Sequence, residues 1–115
     1  MKLKNLLPSL REKKQYIAFE IHGLKLERNE TLQEMKEKMK DFMGELGLAR
    51  AGIMFLKDWK DNKGIFKTNA KFVNKAKASL SLVKSINNQK VIVKSLATSG
   101  TINKLRTKYF TKEGN

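Results

Sequence analysis

Cysteine is absent from this chain of 115 residues, and histidine occurs once, as His22. The first absence excludes a disulfide framework and any thiolate metal site. The second leaves a histidine-based zinc site or a catalytic triad without its parts in one chain. No apolar run approaches the roughly eighteen residues of a membrane span. No secretory signal is read at the start either, where Lys2 and Lys4 are followed at once by Pro8, the single proline, and a charged cluster. The expectation is a cytoplasmic protein with no membrane partner. At this length it is one domain, 1–115, with one modest core and a basic leader over 1–12.

A third absence is the most informative. From 62 to 112 there is no Asp or Glu, yet that stretch carries twelve Lys and Arg, in a chain of net charge +14. A protein seeking only solubility would mix the signs, because one-sided charge repels itself. A polyanion can supply the missing charge, and nucleic acid is the leading candidate.

What is present has clear periodicity. Ile17, Phe19 and Ile21 alternate with Tyr16, Ala18 and Glu20, which predicts a half-buried strand over 14–22. Thr31 with Glu34 reads as a capping box opening a helix. Leu32, Met35, Met39, Phe42 and Leu46 form its expected buried stripe, and Gly47 its expected end. A second strand is predicted over 49–57, apolar on both faces. A turn cluster follows over 58–64, then a third strand over 65–69. Helical spacing returns over 70–86, with Val73, Ala76, Leu80 and Val83 on one face and Asn87-Asn88 as the end. A fourth strand over 90–97 leads through Ser99-Gly100-Thr101 to a basic helix edged by Ile102, Leu105 and Tyr109, with 99–112 as the C-terminal helical segment.

This order predicts an α+β fold, an RNA-recognition or ferredoxin-like βαββαβ sandwich with a four-stranded antiparallel sheet plus an extra C-terminal helix. An ordinary RNA-recognition motif stacks bases on aromatics of its first and third strands. Here the third-strand positions hold Ile65 and Lys67, while Phe66 faces the helices, so base stacking on an open sheet is not expected. The second and fourth strands are apolar on both sides, so something must cover the second face: the last helix or a partner protein.

The segments Leu7-Pro8-Ser9-Leu10-Arg11-Glu12-Lys13-Lys14-Gln15-Tyr16-Ile17-Ala18-Phe19-Glu20-Ile21, Phe42-Met43-Gly44-Glu45-Leu46-Gly47, Ala51-Gly52-Ile53, Lys63-Gly64-Ile65 and Leu96-Ala97-Thr98-Ser99-Gly100-Thr101-Ile102 together resemble protein component 2 of archaeal ribonuclease P, the Pop5/Rpp14 family. Gln15 and Thr68-Asn69-Ala70 depart from its pattern. The resemblance implies a non-catalytic subunit of a ribonucleoprotein that removes the 5′ leader of precursor tRNA. It implies as partners the ribonuclease P RNA, protein component 3 and, through the holoenzyme, precursor tRNA, with a homodimer inside a heterotetramer as an open arrangement. It implies no cofactor on the protein; Mg²⁺ serves the RNA-based holoenzyme, and the RNA carries the hydrolysis.

On these terms the residues expected at RNA are Arg11, Lys13 and Lys14 before the first strand, Lys67 and Lys94 on strands, Lys71 by the second helix, and Lys104, Arg106 and Lys108 on the last helix. The alternative for each is a solvated charge. Tyr16, Trp59 and Tyr109 are the expected protein-interface residues, with packing onto the sheet as the alternative for Trp59. The acids Glu30, Glu34, Glu37, Asp41 and Glu45 read as salt-bridge partners along the first helix rather than as a metal ridge. Catalytic and metal-binding residues are expected to be none. Three rivals stay open: a generic RNA-binding module, a ferredoxin-like nuclease using the acidic ridge, and a protein-binding scaffold.

Overall fold

A computed structural model describes residues 13–23 and 25–110; the leader over 1–12, including Arg11, and the end of the segment to 112 lie outside the described residues. The central strand β1 (Lys14–His22) is antiparallel to β3 (Lys63–Asn69) on one side and β6 (Ile92–Ser99) on the other. β2 (Met54–Lys60) completes a four-stranded sheet of order β2-β3-β1-β6, which is the split βαβ arrangement read from the sequence. A two-stranded hairpin, β4 (Ser85–Ile86) and β5 (Gln89–Lys90), stands apart from it.

Strand alternation sorts the side chains into two cores. Ile17, Phe19, Ile21, Phe66 and Val93 face α1 (Arg28–Ala51) and α2 (Val73–Ser81), where Leu32, Met35, Met39, Ala76 and Leu80 meet them. Phe19 lies edge-on to Phe55 at 6.0 Å between ring centroids, so aromatics dominate this layer. On the other side Ala18 and Ile65 are sealed by Leu105 of α3 (Ile102–Tyr109), with Leu56, Leu96, Ile102 and Tyr109 around them. The chain's own last helix therefore covers the centre of the second sheet face.

Several element ends differ from the sequence expectation. α1 begins at Arg28, not after Thr31: the Glu27 side chain accepts from Glu30 N at 2.9 Å and supplies the cap. Thr31 is buried one turn inside, and Glu34 accepts instead from Asn87 N at 3.0 Å. The helix does not close at Gly47. Gly44 breaks it with φ 79°, and it resumes until Gly52, whose left-handed backbone forms the C-cap. β2 consequently starts at Met54 and takes in Asp58 and Trp59, which the sequence had placed in a turn.

The turn itself shrinks to Asp61 and Asn62, both at positive φ, the two-residue connection that suits a twisted hairpin. Asn62 is fixed there because its Oδ1 accepts from Leu26 N at 3.0 Å and its Nδ2 donates to Ile21 O at 3.3 Å. The expected helix over 70–86 is a 3₁₀ turn (Ala70–Phe72) followed by the nine residues of α2. Asn87 and Asn88 do not end a helix; both at positive φ, they turn the β4–β5 hairpin and let Ile86 bury fully.

Candidate nucleic-acid interface

Register places the strand lysines on the α3 side of the sheet. One cross-strand row runs Met54, Lys67, Tyr16, Ser99. Four residues along β1, about 13 Å away, another runs Lys60, Lys63, Glu20, Lys94. Lys67 and Lys94 are thus on one face but at opposite ends. Lys13, Lys14 and Lys71 join Lys67 at its end: Lys13 O accepts from Ala70 N at 2.9 Å, and the Lys14 ammonium donates to Asn69 Oδ1. Glu20 is the only acid in either row. Its carboxylate lies 3.8 Å from Lys63 Nζ and 3.3 Å from His22 Nε2.

α3 supplies the middle of this face. Lys104 and Lys108, four residues apart, share its outer side with Asn103 and Thr107. Arg106 turns back to β2 and makes a bidentate pair with Asp58, Nε to Oδ2 at 2.9 Å and Nη2 to Oδ1 at 3.0 Å. Hydrogen bonding to Asp58 holds the guanidinium above its ordinary pKa, against the opposing effect of desolvation. Since an arginine is charged at any pH a fold survives, the raised value keeps this contribution constant through the neutral range. Both acids of the face, Glu20 and Asp58, are ion-paired, whereas Lys67, Lys94 and Lys104 have no acidic partner among the described residues.

Further acids lie on the opposite layer. Glu30, Glu34, Glu37 and Asp41 line a shallow surface of α1 with Lys38 and Asn87. Glu34 lies 3.2 Å from Lys38 at i,i+4, and Lys38 in turn donates to Ser85 Oγ at 3.0 Å. Among the described residues no group of three or more His, Asp or Glu could hold a metal ion. No described helix is long and apolar enough to cross a membrane.

The three expected interface aromatics are partly buried against the chain's own two cores. Trp59 packs against the helix-side core at 6.5 Å from Phe19, and Tyr16 and Tyr109 pack against the cluster of Ala18, Ile65 and Leu105. An uncovered apolar surface lies elsewhere. Phe42 and Leu46, expected in the buried stripe of α1, are 52% and 65% exposed. A groove of about 310 Å³ lies between α1, on either side of its break at Gly44, and the full length of α2, lined by Phe42, Met43, Gly47, Phe72 and Leu82. Sequence reading missed this groove because helical spacing shows which face is apolar but not how closely the facing helix packs against it. It also passed over Lys60 and Lys63 as turn residues, although their places either side of the hairpin turn put them on the lysine face.

The arrangement defines a split βαβ sheet closed by a basic helix, with a lysine-rich face on the side of that helix and a line of acids along α1 on the other. Comparison with known proteins names the group. The sequence pattern of the Rpp14/Pop5 family matches residues 15–110, and the chain belongs to that family. It is 36% identical over 115 residues to ribonuclease P protein component 2 of Thermococcus kodakarensis, covering 98% of this chain and 96% of that one. It is 37% identical to the protein of the same name from Pyrococcus furiosus over 116 residues, covering 96% and 94%. With that of Methanosarcina barkeri identity is 32% over 108 residues, 93% of this chain and 79% of the relative. A chain in the cryo-EM structure of yeast ribonuclease MRP superposes with a TM-score of 0.65 at 16% identity, covering 90% of this chain and 92% of that one, so it shares the fold.

Proposed function

We propose that this chain is a non-catalytic subunit of ribonuclease P that binds and stabilises the catalytic RNA together with protein component 3. The holoenzyme removes the 5′ leader of precursor tRNA in the cytoplasm, with hydrolysis carried by the RNA and its Mg²⁺. The observation that carries the reading is the lysine face whose two acids are both neutralised by ion pairs. Such a face offsets phosphate repulsion and lets RNA helices approach one another. Family membership supports the ribonucleoprotein setting. The apolar groove between α1 and α2 supports a protein partner, since an exposed surface of that kind is a common docking feature. Acids lining the neighbouring α1 surface would keep phosphate away from that side.

The test is reconstitution. Archaeal ribonuclease P RNA and precursor tRNA are incubated with and without this chain and component 3, and 5′-leader release is followed. Faster cleavage is expected with the RNA when both proteins are present, and none when the RNA is left out. Cleavage by the protein alone would overturn the reading in favour of a nuclease.

A further inference from the structure

The end of the sheet beyond Glu20 holds a notch that the lysine face does not explain. It measures about 290 Å³ and is lined by His22 at the end of β1, Lys84 and Lys90 flanking the small hairpin, and Val91 and Ile92 leading into β6. The floor is aliphatic: Val91 is buried, while Ile92 is 61% exposed although it sits in a strand. Among the described residues no carboxylate lines it. The neighbouring acid on β1, Glu20, is directed to His22 Nε2 at 3.3 Å, which holds the imidazole at the rim. The close approach of the chain fixes the far wall, since a Cβ on Gly23 would lie 3.1 Å from Val91 Cγ1.

We propose that this notch binds one unstacked nucleotide of single-stranded RNA. A nucleobase presents two apolar faces and carries phosphates to either side. The aliphatic floor and the imidazole suit the base, and the Lys84 and Lys90 ammoniums suit the flanking phosphates. A base still inside a helix cannot reach the floor, so the notch selects loops, bulges and ends, whereas the lysine face accepts any phosphate array. The site is too small for a folded element, and its cationic rim disfavours basic partners. The inference rests on the RNA-binding reading and adds to it a site for unpaired RNA.

The experiment uses the full chain with two probes, a short single-stranded oligoribonucleotide containing 4-thiouridine and a blunt RNA duplex. Affinities are read by fluorescence anisotropy and crosslinked peptides by mass spectrometry. Ile92→Glu and the pair Lys84→Gln/Lys90→Gln are expected to weaken single-strand binding by about tenfold and duplex binding less than about twofold. Crosslinks should fall within 22–23 and 84–92. The control pair Lys104→Gln/Lys108→Gln should weaken both probes alike. Should Ile92→Glu fail to fold, His22→Ala replaces it, since His22 lies outside both cores. Unchanged single-strand affinity in the notch variants, with the control pair still weakening it, would overturn the notch and leave the RNA-binding reading standing. Failure of the unaltered chain to bind either RNA at low salt would sink both.

Discussion

Arg106 on α3 and Asp58 on β2 form a two-pronged ion pair, 2.9 and 3.0 Å, across 48 residues of sequence. It is the polar clasp on a helix otherwise held by Leu105 and its neighbours over Ala18 and Ile65. The guanidinium is about half exposed, with its side chain at 47% relative accessibility, so solvent screens the pair. Arg106→Ala is expected to lower stability by no more than about 1 kcal/mol. It should nevertheless raise amide exchange over 102–109 well before global unfolding. Equal protection of α3 in the variant would show that the clasp adds nothing to docking.

Leu105 is the apolar counterpart, 2% exposed and central to the second core. Leu105→Ala should cost about 2–3 kcal/mol in urea unfolding, at the low end for leucine because a short helix can settle into the space. The same variant should bind a hydrophobic dye as Ile65 and Leu56 become wet.

Gly64 lies under an aromatic roof. A Cβ there would approach Phe19 Cζ to 2.7 Å and Trp59 Cε3 to 3.2 Å. Phe19 is fully buried between Phe55 and Phe66 and has no free side to move into. Gly64→Ala should therefore destabilise by about 1–3 kcal/mol through overpacking, measured as a lower denaturation midpoint at unchanged m-value.

Phe42 and Leu46 are half or more exposed, so Phe42→Ser with Leu46→Ser should leave stability within about 0.5 kcal/mol. If the groove meets component 3, the same pair of changes should reduce co-elution of the two proteins on gel filtration. RNA affinity of the isolated chain should not move. A large drop in melting temperature would instead assign these side chains to the core.

Lys104 and Lys108 share the outer side of α3. If both neutralise phosphate, replacing them by Gln should reduce the slope of log affinity against log salt by roughly 1.4–1.8, two contacts at 0.7–0.9 each. Replacing Lys36 and Lys40 on α1 should leave the slope unchanged, and a comparable change there would make binding non-localised.

The sequence by itself determined the strand β1, the βαββαβ order, the basic second half and the need for a cover on the second sheet face. Each of these is written in local terms: alternation of Ile17, Phe19 and Ile21, helical spacing, charge sign, and apolar residues on both faces of two strands that need cover. Tertiary structure decided what depends on partners far away in the chain, including that the chain's own last helix is that cover. Glu27 rather than Thr31 starts α1 because burial draws Thr31 into the core and Asn87 takes the Glu34 carboxylate. Phe42 and Leu46, on either side of the break at Gly44, stay exposed, which their own spacing cannot reveal. Arg106 faces Asp58 while Lys104 and Lys108 face outward, and His22 meets Lys84 and Lys90, only because the sheet register brings those segments together. Local pattern carries periodicity and charge; which lysine stands free and which cation is already paired is a matter of register and packing.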